Sequence, residues 1–244
     1  TPEFAFEKDY DNVKRAVEKW GITYPVVLDN DFSTWRAFAN QYWPHKYLID
    51  IHGNIVYDHV GEGGYEETEK RIQEELQKRA DVLKMGKLDM NSSEPSNTVA
   101  VDFSKIKTPE IYFGYNFIRG NLGQVNEIVP EKAVAFTIPS TIGLNTAYLN
   151  GSWVVHDDGA ELVSDAGYIA LTYSSKVVNI VASGPSEILV RVDGKAPSGS
   201  HGYSVNKEGK GRIDAQDLYE LVNGEYGQHT IIFHVRKGFR IYTF

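Results

Sequence analysis

Trp43-Pro44-His45-Lys46-Tyr47-Leu48-Ile49-Asp50-Ile51-His52-Gly53-Asn54-Ile55-Val56-Tyr57-Asp58-His59-Val60-Gly61-Glu62-Gly63-Gly64-Tyr65 is the stretch whose reading decides the fold of the first part of the chain. It reads as a proline-led strand, a tight turn at His52-Gly53, a second strand and a glycine-rich entry into a helix. Tyr47, Leu48 and Ile49 form a short apolar run, and Ile55 and Tyr57 alternate with polar neighbours toward Val60. Only an X-Pro bond is commonly cis, and base rates alone make Trp43-Pro44 a trans bond opening a strand.

Upstream, Phe6, Tyr10, Val13, Val17 and Trp20 recur at helical spacing, with Gly21 as the stop. Tyr24-Pro25-Val26-Val27-Leu28 reads as a short strand. Asp29-Asn30-Asp31 is a turn and a source of helix caps, with Ser33 and Thr34 as alternatives. Trp35, Phe38, Ala39 and Tyr42 then form a second helical stripe. Downstream, residues 66–85 make a charged amphipathic helix on Ile72, Leu76, Ala80 and Leu83. Its acidic residues come early and its basic ones late, as the helix dipole favours.

Residues 86–98 are short, polar and rich in Ser and Asn, which marks a linker between residues 1–85 and 99–244. Beyond it the hydrophobic period changes from helical to alternating. Strands are expected at 133–138, 153–156, 168–173, 177–182, 188–192, 229–235 and 239–244, with 217–222 either a strand or a helical turn. About eight strands in this length suggest a two-sheet sandwich or jelly roll.

The aromatic-Pro pair, the strand ending in Leu48-Ile49-Asp50, the Gly53-Asn54 turn, the second strand and the final helix resemble the second half of a thioredoxin-like domain. Thr108-Pro109-Glu110-Ile111-Tyr112-Phe113-Gly114, Leu149-Asn150-Gly151-Ser152-Trp153, Val192-Asp193-Gly194-Lys195 and Leu218-Tyr219-Glu220-Leu221-Val222 extend the likeness. Together they resemble the soluble C-terminal portion of DipZ-type thiol–disulfide oxidoreductases. The resemblance implies an α/β plus all-β chain: the C-terminal part of a thioredoxin-like fold followed by a carbohydrate-binding-module-like jelly-roll β-sandwich. It also implies a cis Pro44 facing a C-x-x-C pair, with Trp43, Pro44 and Glu62 around the substrate groove. The strands and helix that carry C-x-x-C in that family are not in this sequence. They would lie between the strands at Val26-Val27 and Leu48-Ile49. The chain is therefore expected to be a fragment whose sheet is completed by the missing N-terminal segment or by a second chain. Expected partners are protein thiol or disulfide substrates and a membrane electron donor, in an extracytoplasmic setting.

Composition limits what these residues can do unaided. The chain of 244 residues contains no cysteine, which excludes a thiol nucleophile, a thiolate metal ligand and self-contained dithiol exchange. A net charge of −8 without a basic cluster argues against nucleic acid as a partner. No apolar run approaches the length of a membrane span, and the chain reads as soluble. His45, His52, His59 and Asp58 lack the paired spacing of a structural zinc site, and no metal or other cofactor is expected. Glu62, at a strand-to-helix junction, is a proton-handling candidate or a helix-end charge. Tyr112, Tyr115 and Trp153 are candidates for a glycan or partner surface, although aromatics in sandwiches more often fill the core. The alternative function is a non-catalytic binding or assembly protein, in which the β-sandwich recognises a glycan or a protein.

Overall fold

The computed structural model describes residues 1–86 and 101–244. They form two compact units, Thr1–Glu3 with Tyr10–Ala100 and Phe4–Asp9 with Val101–Phe244. From residue 87 onward the expected linker lies outside the described residues.

The first unit is small and mostly open. Helix α1 spans Tyr10–Lys19 and half-buries Val13 and Val17. It ends where Gly21 takes a φ of 61° and the Ile22 and Gly21 amides donate back to the carbonyls of Val17 and Glu18. This is the paired closure that a left-handed glycine makes possible. Phe6, expected on this helix, is not on it: Asp9 is extended and separates α1 from a 3-10 turn at Ala5–Lys8. Phe6 fitted the helical spacing by coincidence, because its contacts lie far away in sequence.

Tyr24 to Leu28 do not form a strand. A strand needs a ladder partner, and among the described residues this segment has none. Val27 is 76% exposed. Helix α2 is a single turn, Ser33–Ala37, shorter than the aromatic stripe suggested. Strands β1 (His45–Ile49) and β2 (Ile55–Val60) form an antiparallel hairpin with His45 opposite Val60. Its turn is closed by the Asp50 carboxylate, which accepts from the His52 and Asn54 amides. Helix α3 (Tyr65–Val82) follows through Gly63 and Gly64, both at positive φ. A Cβ at Gly64 would lie 2.5 Å from the His59 ring, so glycine there also makes room for His59. The buried residues of this unit are few: Pro2, Asp29 and Ala80 among those described.

The second unit holds the main core. Its strands are β3 (Ala133–Phe136), β4 (Ala147–Val155), β5 (Ala160–Leu162), β6 (Ala166–Ser183), β7 (Ser186–Val192), β8 (Lys210–Ile213), β9 (Asp217–Arg236) and β10 (Arg240–Thr243). They hydrogen-bond in the order β3-β4-β5-β10-β6-β9-β7-β8, with an added β4–β6 pairing. Long strands change neighbours along their length. The first half of β6 pairs with β4 and the last residues pair with β10, while β9 accompanies it throughout. Register shifts in β6 after Ser175 and Val178 mark where the ladder adjusts. Trp153, Phe113, Phe233 and Phe239 fill the interior that these strands enclose.

The stretch from Ile111 to Asn116 runs beside β10 and then along residues 156–157. Phe113 donates to Tyr242, Tyr115 to His156 and Asn116 to Asp157. Gly114 makes this approach possible, since a Cβ on it would meet the Asp158 backbone at 2.3 Å. Against the same region lies the N-terminal segment, where Phe4 packs with Tyr112, Tyr242, Phe6 and Phe117.

Candidate functional site

The candidate site is built on the hairpin of the first unit. The Trp43–Pro44 bond is cis. The Pro44 carbonyl accepts from the Gly61 amide at 2.8 Å, so the start of β1 and the turn after β2 are tied together. Trp43 is 50% exposed, and its ring centroid lies 4.5 Å from that of Trp35 on α2. Its own N–H and C=O make no hydrogen bond among the described residues.

Asp29 organises the neighbouring helix turn. Its carboxylate accepts from the Thr34 and Trp35 amides at 2.8 and 2.9 Å and from the Thr1 hydroxyl at 2.7 Å. Burial opposes its ionisation, yet these hydrogen bonds hold its carboxyl well below the usual range. Asp29 thereby fixes the orientation of α2, from which Trp35 meets Trp43.

On the face shared by His45 and Tyr47 there is a polar network that the sequence did not reveal as a unit. Asn40 donates through its amide nitrogen to the Tyr42 carbonyl, which turns its Oδ1 toward His45 Nδ1 at 2.6 Å and Tyr47 Oη at 3.0 Å. His45 Nε2 faces the Asp58 carboxylate at 2.8 Å. Burial, with the Asp58 charge, pushes the Tyr47 hydroxyl up. The available signal was the i, i+2 spacing of His45 and Tyr47, which puts both on one side of a strand. The histidines do not gather: His52 sits in the hairpin turn, and His59 lies on the opposite side of the hairpin from His45. Among the described residues no group of three His, Asp or Glu side chains could hold a metal.

Glu62 is exposed and accepts from the Tyr65 hydroxyl at 2.7 Å, which pushes that hydroxyl up. Lys46 Nζ lies 5.0 Å from the Tyr65 ring centroid. Glu62 therefore sits one residue beyond the Pro44–Gly61 link, at the same end of the hairpin as Trp43.

In the second unit the three aromatic candidates separate. Trp153 is fully buried, donates to the Asn150 carbonyl at 2.9 Å and meets Phe239 edge-on. Tyr112 is nearly buried among Phe4 and Phe117 and donates to Glu110. Neither offers a ring face to a ligand, because both rings are core material. Tyr115 alone of the three is exposed, at 38%. The Asp158 carboxylate is taken up by Arg240, and that of Asp193 by His229 and the Thr230 amide.

Comparison with known proteins supplies the remaining context. The chain is 34% identical over 197 residues to protein DipZ of Mycobacterium tuberculosis, covering 80% of this chain and 27% of that protein, and equally similar to DipZ of Mycobacterium bovis. It thus spans about a quarter of the length of these relatives. A shorter match, 30% over 71 residues, joins it to thiol-disulfide oxidoreductase YkuV of Bacillus subtilis, covering 29% of this chain and 48% of YkuV. The human NHL repeat-containing protein 2 is 38% identical over 61 residues, 25% of this chain and 8% of that protein. Residues 108–244 match the family described as thioredoxin like C-terminal domain. That match spans more than half of the sequence, and with the similarity to DipZ it means that the chain belongs to this family and is a thioredoxin-like protein of DipZ type.

Proposed function

We propose that this chain supplies the substrate-facing half of a thiol–disulfide exchange centre, whose thiols reside on a C-x-x-C segment that completes its sheet. The observation carrying this reading is Trp43, half exposed and with both backbone polar groups unpaired among the described residues. An extended peptide laid beside it can pair with those groups, much as a strand adds to a sheet edge. The open side of β1, the unpaired Val26 to Leu28 and the scarcity of buried residues support a further segment packing here, from the same protein or a second chain.

In the exchange, a thiolate of the pair attacks one sulfur of a protein disulfide and the other substrate sulfur leaves as a thiolate. The second thiol of the pair then attacks the mixed disulfide, so the substrate departs reduced and the pair is left oxidised. A membrane electron donor would restore the dithiol. Glu62, beside the Pro44–Gly61 link, is assigned to proton handling near the thiols. Similarity to DipZ supports an extracytoplasmic setting. Among the described residues no helix is long and apolar enough to cross a membrane. The division into residues 1–85 and 99–244 belongs to this reading. So does a jelly-roll form for the second part, for which the half-strand exchanges of β4, β6 and β9 speak.

The test is insulin reduction by this chain joined to the segment encoded upstream of Thr1. Reduction is expected only in the joined form. An upstream sequence without C-x-x-C overturns the proposal.

A further inference from the structure

On the outer face of the second unit, β6, β9, β7 and β8 run side by side around a cavity of about 550 Å³. That size falls within the range of small-molecule sites. The alternation of each strand decides which side chains line it. Ser186, Ile188 and Val190 are buried, so Glu187, Leu189 and Arg191 share the opposite face of β7. By the same period, β9 turns out His234 and Arg236 between buried Phe233 and Val235. Cross-strand register then sets Lys210, Leu189, His234 and Tyr168 in one row. Arg212 is opposite Glu187, and Arg236 is opposite Ala166.

We propose that this face is a binding site for a small organic anion, a ring bearing a carboxylate or phosphate group. Lys210, Arg212 and Arg236 bring three positive charges to it, and Glu187 one negative charge, in a chain whose net charge is −8. Arg212 is engaged by Asp214 at 2.5 Å, and the Arg191 guanidinium by the carbonyls of Val190 and Glu208. Lys210 and Arg236 have no ion-pair partner among the described residues. They are the two cations open to an anion. His234, which lines the cavity two residues before Arg236, offers its ring to a ligand ring and has the Tyr168 ring beside it with centroids 5.3 Å apart. Partial burial, together with the charges of Arg191 and Arg236, holds His234 below its ordinary pKa. Glu187 is left to accept from ring hydroxyls.

Calorimetric titration of the full chain at low ionic strength tests this with D-glucuronate, glucose 6-phosphate and neutral glucose. Saturable binding of either anion, with none of glucose and with loss at raised salt, is the expected result. Which anion binds identifies the acidic group as carboxylate or phosphate. The Lys210→Gln/Arg236→Gln double variant changes exposed side chains only, and its folding is verified by circular dichroism. It should bind at least ~10-fold more weakly, the equivalent of one charge-assisted hydrogen bond. Failure of both anions to bind at millimolar concentration, glucose binding as tightly as glucuronate, or unchanged affinity in the double variant would each overturn the proposal. Disulfide exchange is not involved in any of these readouts, so their failure leaves the proposed redox role standing.

Discussion

The Phe4 ring packs against Tyr242 with centroids 5.4 Å apart, joining the beginning of the sequence to its last strand. Phe4 is 2% exposed, and the adjoining Ala5 amide donates to Asp158, whose carboxylate also holds Arg240. Residues Phe4–Asp9 therefore fold as part of the β unit, although the α/β elements follow immediately after them. Phe4→Ala removes a buried ring from an aromatic cluster that cannot fully close over the gap. It should destabilise the β unit by about 3 kcal/mol. Amide exchange in β10 and the second half of β6 should accelerate, while exchange in α3 stays unchanged. Equal acceleration in both units would refute this assignment of the segment.

The close approach at Gly114 gives a prediction of a different kind. Its Cα–H faces the Asp158 backbone so tightly that an added methyl would overlap main-chain atoms, which have little freedom to move. Gly114→Ala should cost roughly 2 kcal/mol or more from overpacking. The Tyr115 to His156 and Asn116 to Asp157 hydrogen bonds should be the first to lose exchange protection. A variant as stable as the parent, measured by chemical denaturation, would show that the loop accommodates a side chain.

Local pattern was enough to place the hairpin, because β1 carries a short apolar run, β2 alternates and the Asp50 to Asn54 turn has its own hydrogen-bond chemistry. Gly21 as a helix stop was equally legible, since its closure involves only neighbouring residues. Long strands were harder. Residues 168–173 and 177–182 read as two strands, yet β6 carries both, because β9 continues alongside Ser174 and Ser175 and absorbs the break as a register shift. Residues 217–222 and 229–235 merge into β9 for the same reason. Val26 to Leu28 show the reverse error: β propensity without a ladder partner does not make a strand. For Trp153 and Tyr112, composition named aromatic candidates but could not say which face they occupy. Burial is decided by strands distant in sequence, and it places both in the core.

Asp29 makes the α/β unit sensitive to acid. Its folded pKa is depressed below the ordinary value of 3.8, so its hydrogen bonds contribute fully above that value. The contribution is lost as pH falls through the ordinary range toward the depressed one. Asp29→Ala should therefore lose amide protection at Thr34 and Trp35 near neutrality, and lose less further stability on acidification than the parent. Hydrogen exchange at several pH values measures both effects. A variant whose exchange falls off with acid as steeply as the parent's would place the acid sensitivity elsewhere.

Tyr173 governs the opposite end of the pH scale in the β unit. Burial, and secondarily the charge of Asp193, pushes its hydroxyl up to about 12 from an ordinary value near 10. The folded state therefore holds this proton more tightly than the unfolded state does. Its contribution is intact below about pH 10 and is lost as pH rises through about 12, because the unfolded chain gains stability by ionising first. Thermal unfolding of the β unit should accordingly shift to lower temperature across that window. Tyr173→Phe removes the titrating group while keeping the ring, so the decline should become shallower even if the variant starts from a lower midpoint. The slope against pH separates this effect from any packing loss, which would shift all midpoints alike. An unchanged alkaline slope in Tyr173→Phe would assign the sensitivity to other tyrosines.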